Sequence, residues 1–264
     1  MNLADRTVLL TGATGGLGQA IARRLRAAGA ELVLTGRRTD VLEPLAAETG
    51  GRALAVDLAD RDAVARLADD AADVDVLVAN AALPASGNLM TFAVDELDAA
   101  LAVNLRAPMV LARLLGERMV ERGSGHLVFV SSLSGKVATP GSSVYSATKF
   151  GLRGFAQGLR EDLHPLGVGV SAVFPGFVRD AGMFHDAGVK LPPFVGTTTP
   201  EAVAAAVVRA IERDRAEIDV APLGLRAGVK AATLAPDVAA TVNRRLGAKR
   251  VADAMDAGQR IKRR

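Results

Sequence analysis

Short runs dominated by Val, Leu and Ala recur along this chain, separated by longer stretches in which apolar residues return every three or four positions. The runs Thr7–Thr11, Glu31–Thr35, Arg52–Val56, Asp75–Ala79, His126–Ser131 and Val168–Phe174 have the near-continuous apolarity of strands buried on both faces. The stretches Leu17–Ala28, Val41–Glu48, Ala63–Ala72, Val94–Arg122 and Val144–Leu163 have the period of helices. Strand and helix alternate, which predicts repeated βαβ units and an α/β fold: a doubly wound parallel sheet flanked by helices. In such sheets ligands sit at the carboxyl ends of the strands. Within Val94–Arg122, Pro108 has no N–H to offer the carbonyl of Asn104, so a break is expected there.

No Pro/Gly/Ser-rich linker divides the 264 residues, so residues 1–264 are expected to form one domain. Half the residues are apolar, enough for a sizeable core. With no cysteine there are no disulfides and no thiol chemistry, which fits a reducing compartment. No signal peptide opens the sequence and the apolar runs are short, so a cytoplasmic protein without a membrane span is the expectation. The formal charge of +3 is unevenly spread. Arg244–Arg264 holds eight Lys/Arg against Asp253 and Asp256, so that stretch carries +6 and the remainder −3. A basic tail with 3% aromatic residues overall gives no face on which bases could stack, and nucleic acid is excluded as a partner.

Motifs follow the ends of the strands. The first turn, Thr11-Gly12-Ala13-Thr14-Gly15-Gly16-Leu17-Gly18, lies between a buried strand and a helix. Its glycines permit a sharp turn and let a pyrophosphate approach the helix amides, so Gly12, Thr14, Gly16, Leu17 and Gly18 are candidate dinucleotide contacts. The spacing G-x-x-x-G-x-G differs from the Rossmann G-x-G-x-x-G. After the second strand, Gly36-Arg37-Arg38 offers no acid for a ribose 2′-hydroxyl. Arg37 and Arg38 can instead pair with a 2′-phosphate, so NADP(H) is expected over NAD(H). Asp57-Leu58 can meet an adenine amino group and Asn80-Ala81-Ala82 can pass close beneath a cofactor; both also fit ordinary strand ends.

Ser132 precedes Tyr145-Ser146-Ala147-Thr148-Lys149 by thirteen residues, and Tyr145 is the only tyrosine. Tyr and Lys four apart on a helix share a face, and an ammonium beside a phenol favours the phenolate, so a lowered tyrosine pKa is expected. Tyr-x-x-x-Lys alone also fits an ordinary amphipathic helix. The carbonyl of Asn104, freed by Pro108, can hold a water that relays protons. His126, His164 and His185 share no metal-ligand spacing, and no metal is expected.

Together, Thr11-Gly12-x-x-x-Gly16-x-Gly18, Asn80-Ala81-Ala82, Asn104, Ser132, Tyr145-x-x-x-Lys149 and Pro175-Gly176 resemble the short-chain dehydrogenase/reductase family, in its shorter single-domain branch, from about Leu3 to Asp219. The resemblance implies a Rossmann-like fold, a nicotinamide cofactor and hydride transfer between a carbonyl and an alcohol. It implies Tyr145 as general acid/base, Lys149 as ribose ligand and tuner of that tyrosine, Ser132 as the hydroxyl on the substrate carbonyl, and Asn104 as the relay. It also implies Arg37 on the 2′-phosphate, Asp57 on adenine, and Pro175-Gly176 beside the cofactor. Ser131 and Ser134 are near alternatives to Ser132. Two positions depart from the family pattern: Ala82 replaces a glycine, and Ala216–Ala221 replaces a glycine-rich last strand, followed by a helical basic extension over about 222–264.

The segment from about 177 to 199 carries Phe177, Met183, Phe184, Leu191, Pro192, Pro193 and Phe194, which suits either a lid over an apolar pocket or a loop packing its own small core. Arg179 and Lys190 are its candidates for an acidic substrate group. In the tail, Val238, Val242, Leu246, Val251 and Met255 stand near helical spacing, predicting a helix on the domain or a neighbouring subunit, with peripheral contact to anionic lipid as a weaker reading. Much apolar surface on the helices carrying Asn104 and Tyr145 suggests a homo-oligomer. The alternative to a carbonyl/alcohol oxidoreductase is a catalytically silent NADP(H)-sensing protein; it should lack part of the catalytic set, which here is complete.

Overall fold

A computed structural model describes residues 1–189, 191, 195–245 and 248–259. Seven parallel strands form one sheet in the order β3-β2-β1-β4-β5-β6-β7. They are β1 (Thr7–Thr11), β2 (Glu31–Gly36), β3 (Arg52–Ala55), β4 (Val76–Ala79), β5 (Gly125–Val130), β6 (Val168–Pro175) and β7 (Glu217–Val220). The order reverses between β1 and β4, which opens a crevice at their carboxyl ends.

Alternation along each strand builds two cores, because successive side chains point to opposite faces. Val8, Leu10, Leu32, Leu34, Val76 and Val78 face α1 (Gly16–Ala27), α2 (Thr39–Thr49) and α8 (Pro200–Glu212). Leu9, Val33, Leu77, Leu127 and Phe129 face α3 (Arg61–Asp70), α5 (Ala107–Glu121) and α6 (Ser143–Leu163). The remaining helices are α4 (Val94–Leu101), the short α7 (Gly182–Asp186), α9 (Leu223–Leu234), α10 (Pro236–Arg245) and α11 (Ala248–Gln259).

The break at Pro108 is a π-helical segment, Ala102–Arg106, between α4 and α5. The Ala107 amide reaches back five residues to the Ala102 carbonyl, so the chain absorbs the missing donor by widening one turn. The result, Val94–Glu121, is a run of 28 helical residues and, contrary to the reading from short apolar runs, is long and apolar enough to cross a membrane. Half of its most apolar stretch is buried inside the domain, the position of a core helix. Leu101 and Met109 remain exposed on its outer side, as does Phe150 on α6.

β7 was not legible as a strand because Glu217 and Asp219 interrupt the apolar pattern. Both are paired: Lys136 Nζ lies 2.7 Å from Glu217 and 2.6 Å from Asp219, and Arg153 Nε lies 2.7 Å from Glu217. Burial pushes Glu217 up, but hydrogen bonds from Arg153 and Lys136 outweigh it and hold the carboxyl below its ordinary range.

At the opposite edge of the sheet from the crevice, His126 is buried with Nε2 2.8 Å from Ser171 Oγ, a structural place. Burial lowers its pKa to about 4, against the pull of Asp214. The unfolded chain takes up this proton below about pH 6.5, the folded chain only near pH 4. Stability present above pH 6.5 therefore drains away between those values, by about 3 kcal/mol in all. Urea unfolding at pH 7.5 and 4.5 should show this loss, and His126→Phe should flatten it; an equal slope in the variant would assign the loss elsewhere.

Candidate active site

One cleft of about 1260 Å³ runs along the carboxyl edge of the sheet. At the reversal of strand order the turns after β1 and β4 touch. Gly12 has φ +66°, and a Cβ there would stand 2.7 Å from Ala81 Cα. Thr11 stitches the two turns together: its Oγ1 accepts from the amides of Asn80 and Ala81, each at 3.1 Å. Asn80 Nδ2 donates to the carbonyls of Thr11 and Gly12 at 3.0 and 3.2 Å. A Cβ on Gly18 would overlap the Gly12 carbonyl oxygen, so α1 begins pressed against the turn.

That helix opens on Gly15 with no side-chain cap and no acid in its first turn. Its first amides and positive dipole end face the cleft and suit an anion. Thr35 Oγ1, also lining this end, is buried without a hydrogen-bond partner. Arg38 Nη2 donates to the Thr14 carbonyl, and Arg37 Nη1 stands 3.9 Å from Asp57 Oδ2. Asp57 Oδ1 accepts from the Ala59 amide at 3.0 Å, and Leu58 is buried beside it. Uncapped amides, an orphaned hydroxyl and two guanidiniums make this half of the cleft fit a phosphorylated dinucleotide.

The other half is built on α6. Tyr145 and Lys149 face the cleft from successive turns, and Lys149, 2% exposed, donates from Nζ to the Val130 carbonyl at 3.0 Å. Ser132 caps the short 3-10 turn Leu133–Gly135, its Oγ accepting from the Ser134 amide at 3.1 Å. The turn seats directly on α6: a Cβ at Gly135 would be 2.6 Å from the Lys149 carbonyl oxygen. Ser131 Oγ donates to that same oxygen at 3.2 Å and is buried, so its hydroxyl is already committed. Ser132→Ala should therefore cut turnover far more than Ser131→Ala, which should act mainly on melting temperature; steady-state kinetics on both variants checks this.

The electrostatics differ from the simple pairing of Tyr and Lys. Burial pushes the Tyr145 hydroxyl up to about 12, opposed by side-chain hydrogen bonding with Ser132. The same burial pushes Lys149 down to about 8. With the ammonium 5.7 Å from the Tyr145 ring centroid, desolvation of the phenol wins over ionic pairing, so the expected lowering of its pKa is not what the geometry produces. Tyr145 is a neutral hydroxyl here.

Sixteen of the seventeen residues predicted from sequence for the site line this cleft, Pro175 and Gly176 among them. Asn104 lies behind it. Its buried side chain accepts from the Leu83 amide at 2.6 Å and donates to the Leu83 carbonyl at 3.0 Å, bracing the wall after β4. His164 is exposed near Asp214, and His185 lines the cleft mouth. Among the described residues no group of three metal-ligating side chains occurs.

The segment after β6 does cover the cleft. Phe177 and Phe184 pack edge to face at 5.1 Å, and both line it, with Met183 and Leu191. Arg179 instead pairs with Asp180 at 3.3 Å. Lys190, Pro192, Pro193 and Phe194 lie outside the described residues. The tail supplies wall residues that sequence reasoning missed, notably Gly258 and Gln259 of α11 and Leu225 and Val229 of α9. Val251 and Met255, singled out by period, line the cleft too, whereas Val238 is exposed. The side chains of Val242, Leu246, Arg244, Arg245 and Arg250 lie outside the described residues.

The family model of the short chain dehydrogenases matches residues 6–191. The chain belongs to this family. Among curated relatives, the ketoacyl reductase HetN of Nostoc sp. is 38% identical over 227 residues, covering 83% of this chain and 79% of that protein. A short-chain dehydrogenase from Sphingobium yanoikuyae, solved with NADPH, superposes with a TM-score of 0.77 at 29% identity, covering 88% and 94% of the two chains. A metagenomic short-chain oxidoreductase solved with NADP gives 0.69 at 34%, covering 84% and 99%. Like its family, this short-chain dehydrogenase/reductase is an NAD(P)-binding oxidoreductase of CH–OH and C=O groups.

Proposed function

We propose that this dehydrogenase/reductase is NADPH-preferring and reduces an apolar carbonyl to a secondary alcohol, with Ser132, Tyr145, Lys149 and Asn104 as its working set. The observation that carries this reading is the half-buried, protonated Tyr145 hydroxyl beside Ser132 in a cleft whose far end is lined by Phe177, Met183, Phe184 and Leu191. When bound, NADPH supplies the hydride. Ser132 donates a hydrogen bond to the carbonyl oxygen and fixes its position. Tyr145, held protonated by its surroundings, gives its proton to that oxygen as negative charge develops. Lys149, anchored by the Val130 carbonyl, keeps a positive charge one turn away and favours the phenolate left behind. Asn104 holds the Leu83 wall in place, and its own carbonyl, at the widened turn, is the proposed station for returning protons.

Cofactor choice rests on Arg37 and Arg38, which line the adenine end with no acid between them and Gly36. Hydrogen bonds to a charged group contribute about 1.5–3 kcal/mol each. Arg37→Ala and Arg38→Ala, made singly, should therefore each raise the NADPH KM by roughly 10- to 100-fold and leave NADH nearly unaffected. Initial rates with both cofactors on a ketone panel test the reading. A wild type that used NADH better would reverse the assignment.

A further inference from the structure

The C-terminal helix α11 is not a surface appendage. Val251, Ala252, Met255, Gly258 and Gln259, at positions i, i+1, i+4, i+7 and i+8, all line the cleft and form one helical face. Lys249 and Asp253, paired at 2.7 Å, lie exposed. This face is seated at two points of close approach. A Cβ on Gly141 would stand 2.9 Å from Ala252 Cβ, and a Cβ on Gly258 would stand 2.6 Å from Ala187 Cα. Gly141 lies four residues before Tyr145, and Ala187 ends the lid helix α7. Ala252 and Gly258 are six residues apart, about 9 Å along the helix. So α11 bridges the mouth of the cleft, from the loop that leads into the catalytic helix to the lid.

The lysines and arginines lining this chamber are unevenly placed. Among the described residues that line the whole cleft, the only Lys and Arg side chains are Arg37 and Arg38 at the adenine end and Lys149 at the floor. At the lid end the ionisable lining groups are Asp180, His185 and Asp186. A substrate carboxylate or phosphate placed there would lose its hydration beside Asp180, already paired with Arg179 at 3.3 Å, and Asp186, 3.4 Å from His185, with no Lys or Arg among the described lining residues of that end to receive it.

We propose that α11 is the outer wall of the substrate chamber, that Met255 sets the length of chain accepted, and that the substrate is a neutral, extended apolar ketone or aldehyde without a terminal acid. This rests on the reductase reading above and adds the substrate class.

The test compares kcat/KM for 2-butanone, 2-undecanone and 10-oxoundecanoate in wild type, Met255→Trp and Met255→Ala, with NADPH affinity followed by fluorescence. Wild type should favour 2-undecanone over the equally long keto acid by at least tenfold. Met255→Trp should lower the ratio of 2-undecanone to 2-butanone by at least tenfold, and Met255→Ala should raise it or leave it high. Equal use of ketone and keto acid would overturn the neutral class. A ratio that Trp and Ala move alike, or not at all, would overturn the role of α11. If no carbonyl turned over while NADPH still bound, the reductase reading would fail by itself. The wall would then be judged by the neutral fluorophore N-phenyl-1-naphthylamine, whose binding Met255→Trp should weaken tenfold; unchanged binding would sink it too.

Discussion

Tyr145→Phe should lower kcat for ketone reduction by roughly 10²- to 10⁴-fold, the usual worth of a positioned general acid. The loss should fall on turnover, with NADPH affinity changing little. The phenylalanine keeps the ring that packs beside Ala85 and Val144, and loses only a hydroxyl whose neighbour is Ser132. A melting curve close to wild type, read alongside the kinetics, separates lost chemistry from lost structure. A variant retaining a tenth of the activity would move the proton donor to another group. The direction of the pKa matters to the result. A hydroxyl raised to about 12 is fully protonated at neutral pH, so it is ready as a donor in reduction. In oxidation it must first lose its proton, which Lys149, itself lowered to about 8, assists only while charged.

Gly18→Ala should be the most damaging change at the other end of the cleft. The added methyl would overlap the Gly12 carbonyl oxygen and stand 2.8 Å from Ala13 Cα, and both obstacles are backbone. Relief requires α1 to move off the turn, which misplaces the amides offered to a pyrophosphate. We expect NADPH affinity to fall at least 100-fold, about 2.7 kcal/mol, together with about 1–3 kcal/mol of fold stability. Fluorescence titration and urea unfolding measure the two. Gly15→Ala is the control for stability: its Cβ would meet only the Gly12 oxygen, at 3.6 Å, and its melting temperature should stay near wild type. Equal damage from both substitutions would show that the turn is simply intolerant of bulk.

Much of this was readable from residue order because the deciding features are local. A strand buried on both faces reads as an apolar run, a glycine turn as a spacing, and Tyr145 and Lys149 as one helical step. Six strands and the helices between them lie within about two residues of the pattern. What escaped depends on depth and on distant partners. The charges of β7 hide it until Lys136 and Arg153 arrive to neutralise them. The pKa of Tyr145 moves opposite to the simple expectation because desolvation is set by everything around the phenol, not by the residue four places on. The Asn104 side chain serves Leu83, a contact that no spacing announces. The period of the tail already predicts a helix packed on the domain or a neighbouring subunit, but that its apolar face spans the cleft becomes apparent only against Gly141 and Ala187.

The quartet of Lys136, Arg153, Glu217 and Asp219 has a bearing on how this chain can change over time. Two cations and two anions balance at the point where the turn carrying Ser132, the helix carrying Tyr145 and the last strand meet. Losing Lys136 alone would strand Asp219 while Glu217 kept Arg153, and losing both acids would strand Lys136 and Arg153 over the Phe174 ring. Neither segment can drift by itself. The ion pairs tie the strand from which the tail departs to the turn and helix carrying Ser132 and Tyr145, so a different tail grafted here should keep Glu217 and Asp219 opposite Lys136 and Arg153.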